Sequence, residues 1–336
     1  MPQPSHTNAV THPCAHPIPP LQIVQGQLDR VRSLIVAELA GEALSGQLRT
    51  LMDHVLGGAG KMIRPGLVLV SGLCFGSLTE QHLQAAAIME MIHQATLLHD
   101  DVLDGADTRR GRPAANRLWG NEAAVLMGDL VLSRVLARCA DLRPEVARVV
   151  SDTAYRVCQG ELRQTLQRGN WQITEQEHLQ IIADKSASFF SGCCRAGAVL
   201  SDSSGQQAEA MAAYGLNLGM AFQVTDDVLD LLADPEQVGK STGRDIGMGT
   251  LTLPLIHLLR VMGKADREAL LDRFHRDEDV SHSLRDLTIR HGSLDYVRVS
   301  CEHYVDQALR CLDGVGRSDA REALVDLAQH SLTRRA

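Results

Sequence analysis

A chain of 336 residues, 44% hydrophobic and 22% charged, has a globular composition and enough length for one large domain or two small ones. Its net charge of -8 excludes the broad basic field that nucleic acid requires and favours acidic clusters that gather cations. Aromatics are only 3%, so the core has to be aliphatic, and no apolar run approaches the ~20 residues needed to span a bilayer.

In chain order, proline sets the first boundary. Six of the eleven prolines fall in the first twenty residues, with His6, His12, His16 and Cys14 and little to bury. Residues 1–20 therefore read as a disordered Pro/His-rich tail, and 21–336 as one all-helical domain. The histidine spacing fits neither a helix face nor a zinc pattern. Beyond the tail the hydrophobic period is helical. Ile88, Met91, Ile92, Ala95 and Leu98 recur at three- and four-residue steps within 85–104. The stretches 124–140, 145–168, 175–200, 206–232 and 251–262 behave alike, and 263–336 reads as further amphipathic helices. Strand-like alternation is hard to find, which predicts an all-α, many-helix fold. The eight cysteines form no CxxC pair and follow no signal-peptide pattern, which predicts reduced thiols and a cytoplasmic protein.

Asp100-Asp101-Val102-Leu103-Asp104 recurs letter for letter as Asp226-Asp227-Val228-Leu229-Asp230. Each copy ends a helical apolar pattern. Asp100 and Asp104 share one helix face, as do Asp226 and Asp230. A helix C-terminus already carries partial negative charge, so aspartates gathered there need a cation. One copy could be a solvated helix end; two point to metal. All-oxygen ligation suits Mg²⁺, which keeps waters and shares substrate phosphates. The spacing excludes an EF-hand.

Cations accompany the aspartates in short clusters: Lys61 and Arg64 after Gly60, Arg109-Arg110-Gly111-Arg112, Lys185, and Lys240 after Gly239. Arginine offers bidentate phosphate contacts and lysine a point charge. His93 lies about two turns before Asp100 and so near the same face. Together these predict a site for two diphosphates; no Walker loop is present.

The segments IHQATLLHDDVLDGADTRRGRP, GNEAAVLMGD, CQGE, AFQVTDDVLDLLADPEQVGKSTGRD and LTLP resemble the trans-isoprenyl (polyprenyl) diphosphate synthase family, and most closely its long-chain, octaprenyl-type members. The resemblance implies an isoprenoid-synthase fold, an antiparallel helix bundle around a deep central cavity, usually as a homodimer. It implies a prenyltransferase joining isopentenyl diphosphate head to tail with an allylic diphosphate, for instance to make quinone side chains. By motif position, Lys61, Arg64, His93 and Arg110 would bind isopentenyl diphosphate. Arg109, Lys185, Ser186, Gln223 and Lys240 would contact the allylic substrate. Asp100, Asp104 and Asp226 would hold Mg²⁺, three ions with substrate diphosphate, supported by Asp101, Asp227 and Asp230. Lys185 joins the six aspartates in the catalytic set. Transient membrane contact for product release is expected too.

The chain departs from the family pattern at Met62, where Arg is common, at Ser186, where Thr is usual, and at Thr250, where Lys is frequent. A class I terpene cyclase would carry a different second acidic motif, and a non-catalytic partner subunit would have lost aspartates. Chain length is expected to be set along the helix bearing Asp100, at Ala95, Thr96 and Met91. No aromatic occurs in 82–104, so an open tunnel and a long product are expected, with geranylgeranyl or farnesyl diphosphate as the alternatives.

Overall fold

In a computed structural model, residues 18–39, 46–57, 60–232, 248–276 and 280–333 are described. A 3₁₀ turn over Pro19–Val24 leads into α1 (Gln25–Leu39), α2 (Gly46–Gly57), α3 (Ile63–Leu73) and α4 (Glu80–Leu103). A short hairpin, β1 (Thr108–Arg109) and β2 (Arg112–Pro113), precedes α5 (Ala115–Cys139), α6 (Pro144–Leu166) and α7 (Glu175–Ile182). A π turn over Ala183–Ala187 joins α7 to α8 (Ser188–Leu200), followed by α9 (Gly205–Leu232). The chain finishes with α10 (Leu253–Val261), α11 (Lys264–His275), α12 (Ser281–Arg290), α13 (Ser293–Cys311) and α14 (Asp319–Thr333).

Local sequence explains where several helices begin. Thr79 and His82 form a reciprocal cap at the start of α4, and Thr174 with Glu177 does the same for α7. Pro144 and Pro254 sit in the first turns of α6 and α10, where a missing N–H costs nothing.

Four details differ from the sequence reading. Ile18 is buried and Pro19 opens the 3₁₀ turn, so ordered structure reaches into the segment expected to be tail. The all-α expectation holds apart from the hairpin. There Arg110 (φ 52) and Gly111 (φ 74) form a two-residue turn with both residues left-handed, which matches the twist of paired strands. The helix expected from 124 starts at Ala115 and breaks at Gly120 (φ 85). The single helix expected over 175–200 is interrupted by the π turn.

α9 packs on α8 and α13, α4 on α5, and α3 on α8, around an aliphatic core. A second, smaller cluster beneath α10–α12 includes Leu251, Leu255, Leu258 and Leu284. Between α3, α4, the hairpin, α6, the π turn, α8 and α9 lies a cavity of about 1180 Å³. No described helix is long and apolar enough to cross a membrane, and the seven described cysteines are unpaired.

Candidate active site

One end of the cavity wall is basic. Met62 has left-handed backbone (φ 55) and precedes α3, so Lys61 lies in the loop and Arg64 in the first helical turn. The Arg64 guanidinium lies over the Phe189 and Phe190 rings, 4.9 and 5.3 Å from their centroids. Its Nη1 is 3.1 Å from His93 Nε2, and its Nε is buried without a partner among the described residues. Burial lowers the Arg64 pKa, while Glu90 pulls it back up. Burial first, and then Arg64 and Arg110, push the His93 imidazole well below its usual range. A guanidinium only donates, so neutral His93 accepts through Nε2 and keeps its proton on Nδ1. The hairpin turn brings Arg110 to the same wall, against Gly60. A Cβ there would lie 2.6 Å from an Arg110 nitrogen, so glycine at 60 permits the approach.

The acidic end comes from α4 and α9. Asp100 and Asp226 both line the cavity. Burial drives the Asp100 carboxyl up to about 7; Glu161 and Asp104 add to this, while Lys185 and Arg109 oppose it. Asp104 caps α4, and Arg168 holds it at 2.7 Å. The middle aspartates of the two motifs, grouped above with the catalytic set, do not face this cavity. Asp101 is buried and accepts Arg109 Nε and Nη2 at 2.8 and 2.5 Å. Asp227 is buried and contacts Gln223 Nε2 at 3.1 Å and His178 Nε2 at 3.3 Å. The reason is helical phase: the residue after a cavity-facing aspartate is turned about 100° away from it. Asp230, one turn past Asp226, is half-buried and outside this wall.

The π turn supplies the third side. Lys185 and Ser186 line the cavity; Lys185 Nζ lies 2.6 Å from Glu161, and Ser186 Oγ donates to Gln223 Oε1 at 2.7 Å. Arg109 lines the cavity while tied to Asp101. Lys240 lies outside the described residues. Thr250 borders a smaller cavity of about 140 Å³ shared with Asp104, Asp227 and Lys185, and its buried Oγ1 has no partner among the described residues.

The expected chain-length positions are corrected in part. Ala95 and Met91 are fully enclosed and do not line the cavity; Thr96 and Leu97 do. Five residues rotate a helix by about 500°, which sets Ala95 roughly 140° from Asp100, whereas Thr96 is only about 40° away. Sequence reasoning also missed Glu90, Glu161, Arg168 and the three phenyl rings of Phe189, Phe190 and Phe222 in the wall. Glu161 stood within the CQGE segment. Phe222 stood beside Gln223 in the AFQVTDDVLD segment, and the others carried no motif signal.

The donor set fits Mg²⁺. Asp100 is a half-buried carboxylate that burial raises to about 7, Asp104 is one turn away, and Asp226 adds a further oxygen donor to the same cavity. Among the described residues no three His, Cys, Asp or Glu side chains gather into a closed ion site.

The "Polyprenyl synthetase" family profile matches residues 45–288. The short chain isoprenyl diphosphate synthase of Methanothermobacter thermautotrophicus is 33% identical over 288 residues, covering 84% of this chain and 89% of its own. The octaprenyl diphosphate synthase of Escherichia coli is 31% identical over 320 residues, covering 91% and 99%. The crystal structure of polyprenyl synthase from Caulobacter crescentus CB15 complexed with calcium and isoprenyl diphosphate superposes with a TM-score of 0.88. It is 31% identical and covers 94% of this chain and 97% of that one. With aspartates from both copies of the motif and clustered cations around one helical cavity, the chain belongs to the polyprenyl synthetase family and is a prenyltransferase that makes isoprenyl diphosphates.

Proposed function

We propose that the chain adds isopentenyl diphosphate repeatedly, head to tail, to an allylic diphosphate, and that its product is a long-chain, octaprenyl-like polyprenyl diphosphate. The observation that carries this is a single cavity bearing Lys61, Arg64 and Arg110 together with Asp100, Asp226 and Lys185. Lys61, Arg64 and Arg110 bind the isopentenyl diphosphate, with neutral His93 holding Arg64 in place. Arg109, Lys185 and the Ser186–Gln223 pair face the allylic substrate, and Lys240 joins them. Asp100, Asp104 and Asp226 would hold magnesium; when bound, it supplies Lewis-acid neutralisation of the departing diphosphate. The double bond of isopentenyl diphosphate then attacks the allylic cation, and a proton leaves with the released diphosphate as acceptor. Phenyl faces exclude water and tolerate positive charge, which suits the rings of Phe189, Phe190 and Phe222 in the wall.

Length rests on the part of the wall that α4 and α6 supply. α4 and α6 present Thr96, Leu97, Val157, Cys158 and Leu162, none of them aromatic. The phenyl rings from α8 and α9 favour the second reading, an earlier stop at geranylgeranyl diphosphate. A second copy is the proposed partner. α5 exposes Leu126 (66%) and Leu136 (74%), and α6 exposes Tyr155 and Leu166, large apolar side chains that a homodimer would cover.

Labelled isopentenyl diphosphate, an allylic primer and Mg²⁺ test this when products are resolved by chain length. Products beyond twenty carbons are expected, from a protein weighing twice the chain mass in light scattering. Farnesyl diphosphate as the end product, or a monomer, would overturn the corresponding part.

A further inference from the structure

Asp184 sits in the π turn beside two cavity-lining residues yet does not line the cavity itself. Its carboxylate is 4% exposed and accepts Arg163 Nη1 at 2.7 Å, Gln180 Nε2 at 3.0 Å and Arg156 Nη2 at 3.1 Å. Its carbonyl oxygen accepts Ser188 Oγ at 2.6 Å. Arg156, Gly160 and Arg163 recur at four- and three-residue steps, so one face of α6 meets the π turn. Gly160 is the contact point. A Cβ there would lie 2.3 Å from the Lys185 nitrogen and 2.8 Å from the Asp184 carbonyl carbon, so the two backbones touch. Next to it, Glu161 receives Lys185 Nζ at 2.6 Å.

A π turn holds one residue more than an α turn, is intrinsically disfavoured, and recurs at functional sites. Two guanidiniums on one enclosed carboxylate, beside a glycine that lets the backbones meet, stabilise it here. Relaxation to an α turn would shift the register by one residue. Lys185 and Ser186 would then rotate by about 100° from their present directions.

We propose that Asp184, gripped by Arg156 and Arg163, is a positioning residue that fixes the π turn so that Lys185 and Ser186 face the allylic diphosphate. The inference rests on the reading of Lys185 as an allylic-substrate contact. Asp184 touches no substrate; it acts through its neighbour.

A double-mutant cycle in the full-length enzyme tests this, using Asp184→Asn, Lys185→Ala and the pair, with kcat and both Michaelis constants measured. Asp184→Asn should raise the allylic KM on the order of tenfold, within the coupling range of residues sharing an ion-pair network. The KM for isopentenyl diphosphate should stay put, and most of the allylic effect should vanish in the Lys185→Ala background. Should Asp184→Asn fail to fold, Arg163→Gln, at a side chain 44% exposed, removes one donor and should act in the same direction. An equal fold-change in both backgrounds, or equal changes in both KM values, would overturn the positioning role alone. An unchanged allylic KM in Lys185→Ala would overturn the reading of Lys185 and this inference with it.

Discussion

Arg64 carries its charge into the cavity on two phenyl faces, with one nitrogen on His93 and Nε left unpartnered among the described residues. A phosphate entering the cavity that Arg64 lines would meet its guanidinium. Charge-assisted hydrogen bonds contribute about 1.5–3 kcal/mol each, so Arg64→Ala should raise the isopentenyl diphosphate KM by roughly 10- to 100-fold. Arg64→Lys should rescue little, because a compact ammonium cannot reproduce a planar fork stacked on rings. Initial-rate kinetics with both substrates varied check this; an unchanged KM would remove Arg64 from that subsite. At this scale the sequence was legible where charge had to be explained. Clustered aspartates and glycine-bounded cations name Asp100, Asp226, Lys61, Arg64, Arg110 and Lys185, and all six line one cavity. Glu90 was not legible, because a single glutamate within a helical period looks like any other. Nor was Arg168, whose partner Asp104 is 64 residues away in the chain.

Helical phase decides which residues of α4 the cavity meets. His93, Thr96, Asp100 and Leu103 recur at three- and four-residue steps and line it, while Ala95 and Met91 are enclosed. A ring added at the cavity-facing position should therefore shorten the product. Thr96→Phe is expected to shift the distribution toward shorter chains with the first condensation still active. Ala95→Phe should instead overpack the helix and cost about 1–3 kcal/mol of stability. Chromatography of products and thermal melts separate the two. Shortening by Ala95→Phe alone, at unchanged melting temperature, would restore the position first expected. The sequence marked most of these helices to within a few residues because their apolar periods are long. It could not mark the π turn, since the apolar pattern over 175–200 is equally compatible with an unbroken helix. The turn packs against Gly160 of α6, and its Asp184 is held by Arg156 and Arg163 of the same helix, 28 and 21 residues away in the chain. The hairpin hid for a related reason. Two-residue strands show no alternation, and only Gly111 signals a turn.

For the whole molecule, the bundle brings both kinds of charge to one cavity, some of them already paired, as Lys185 is with Glu161. The loop before α3 and the hairpin bring cations to the cavity, and the ends of α4 and α9 bring carboxylates. The aliphatic walls of α4 and α6 leave a path for a growing chain, and the exposed apolar side chains of α5 and α6 are those the proposed second copy would cover. Everything converges on Asp100. Its carboxyl is half-buried and raised to about 7 despite Lys185 nearby, so its charge costs folding free energy that a bound cation would offset. Replacing it by Asn should leave helicity and melting temperature intact. The most direct test is the turnover of Asp100→Asn at saturating substrates and magnesium, with circular dichroism on the same sample. Loss of a charge stabiliser of the transition state costs about 3–4 kcal/mol, so kcat should fall by roughly 10²- to 10³-fold in a fully folded protein. Near-native turnover in that folded variant would contradict the account.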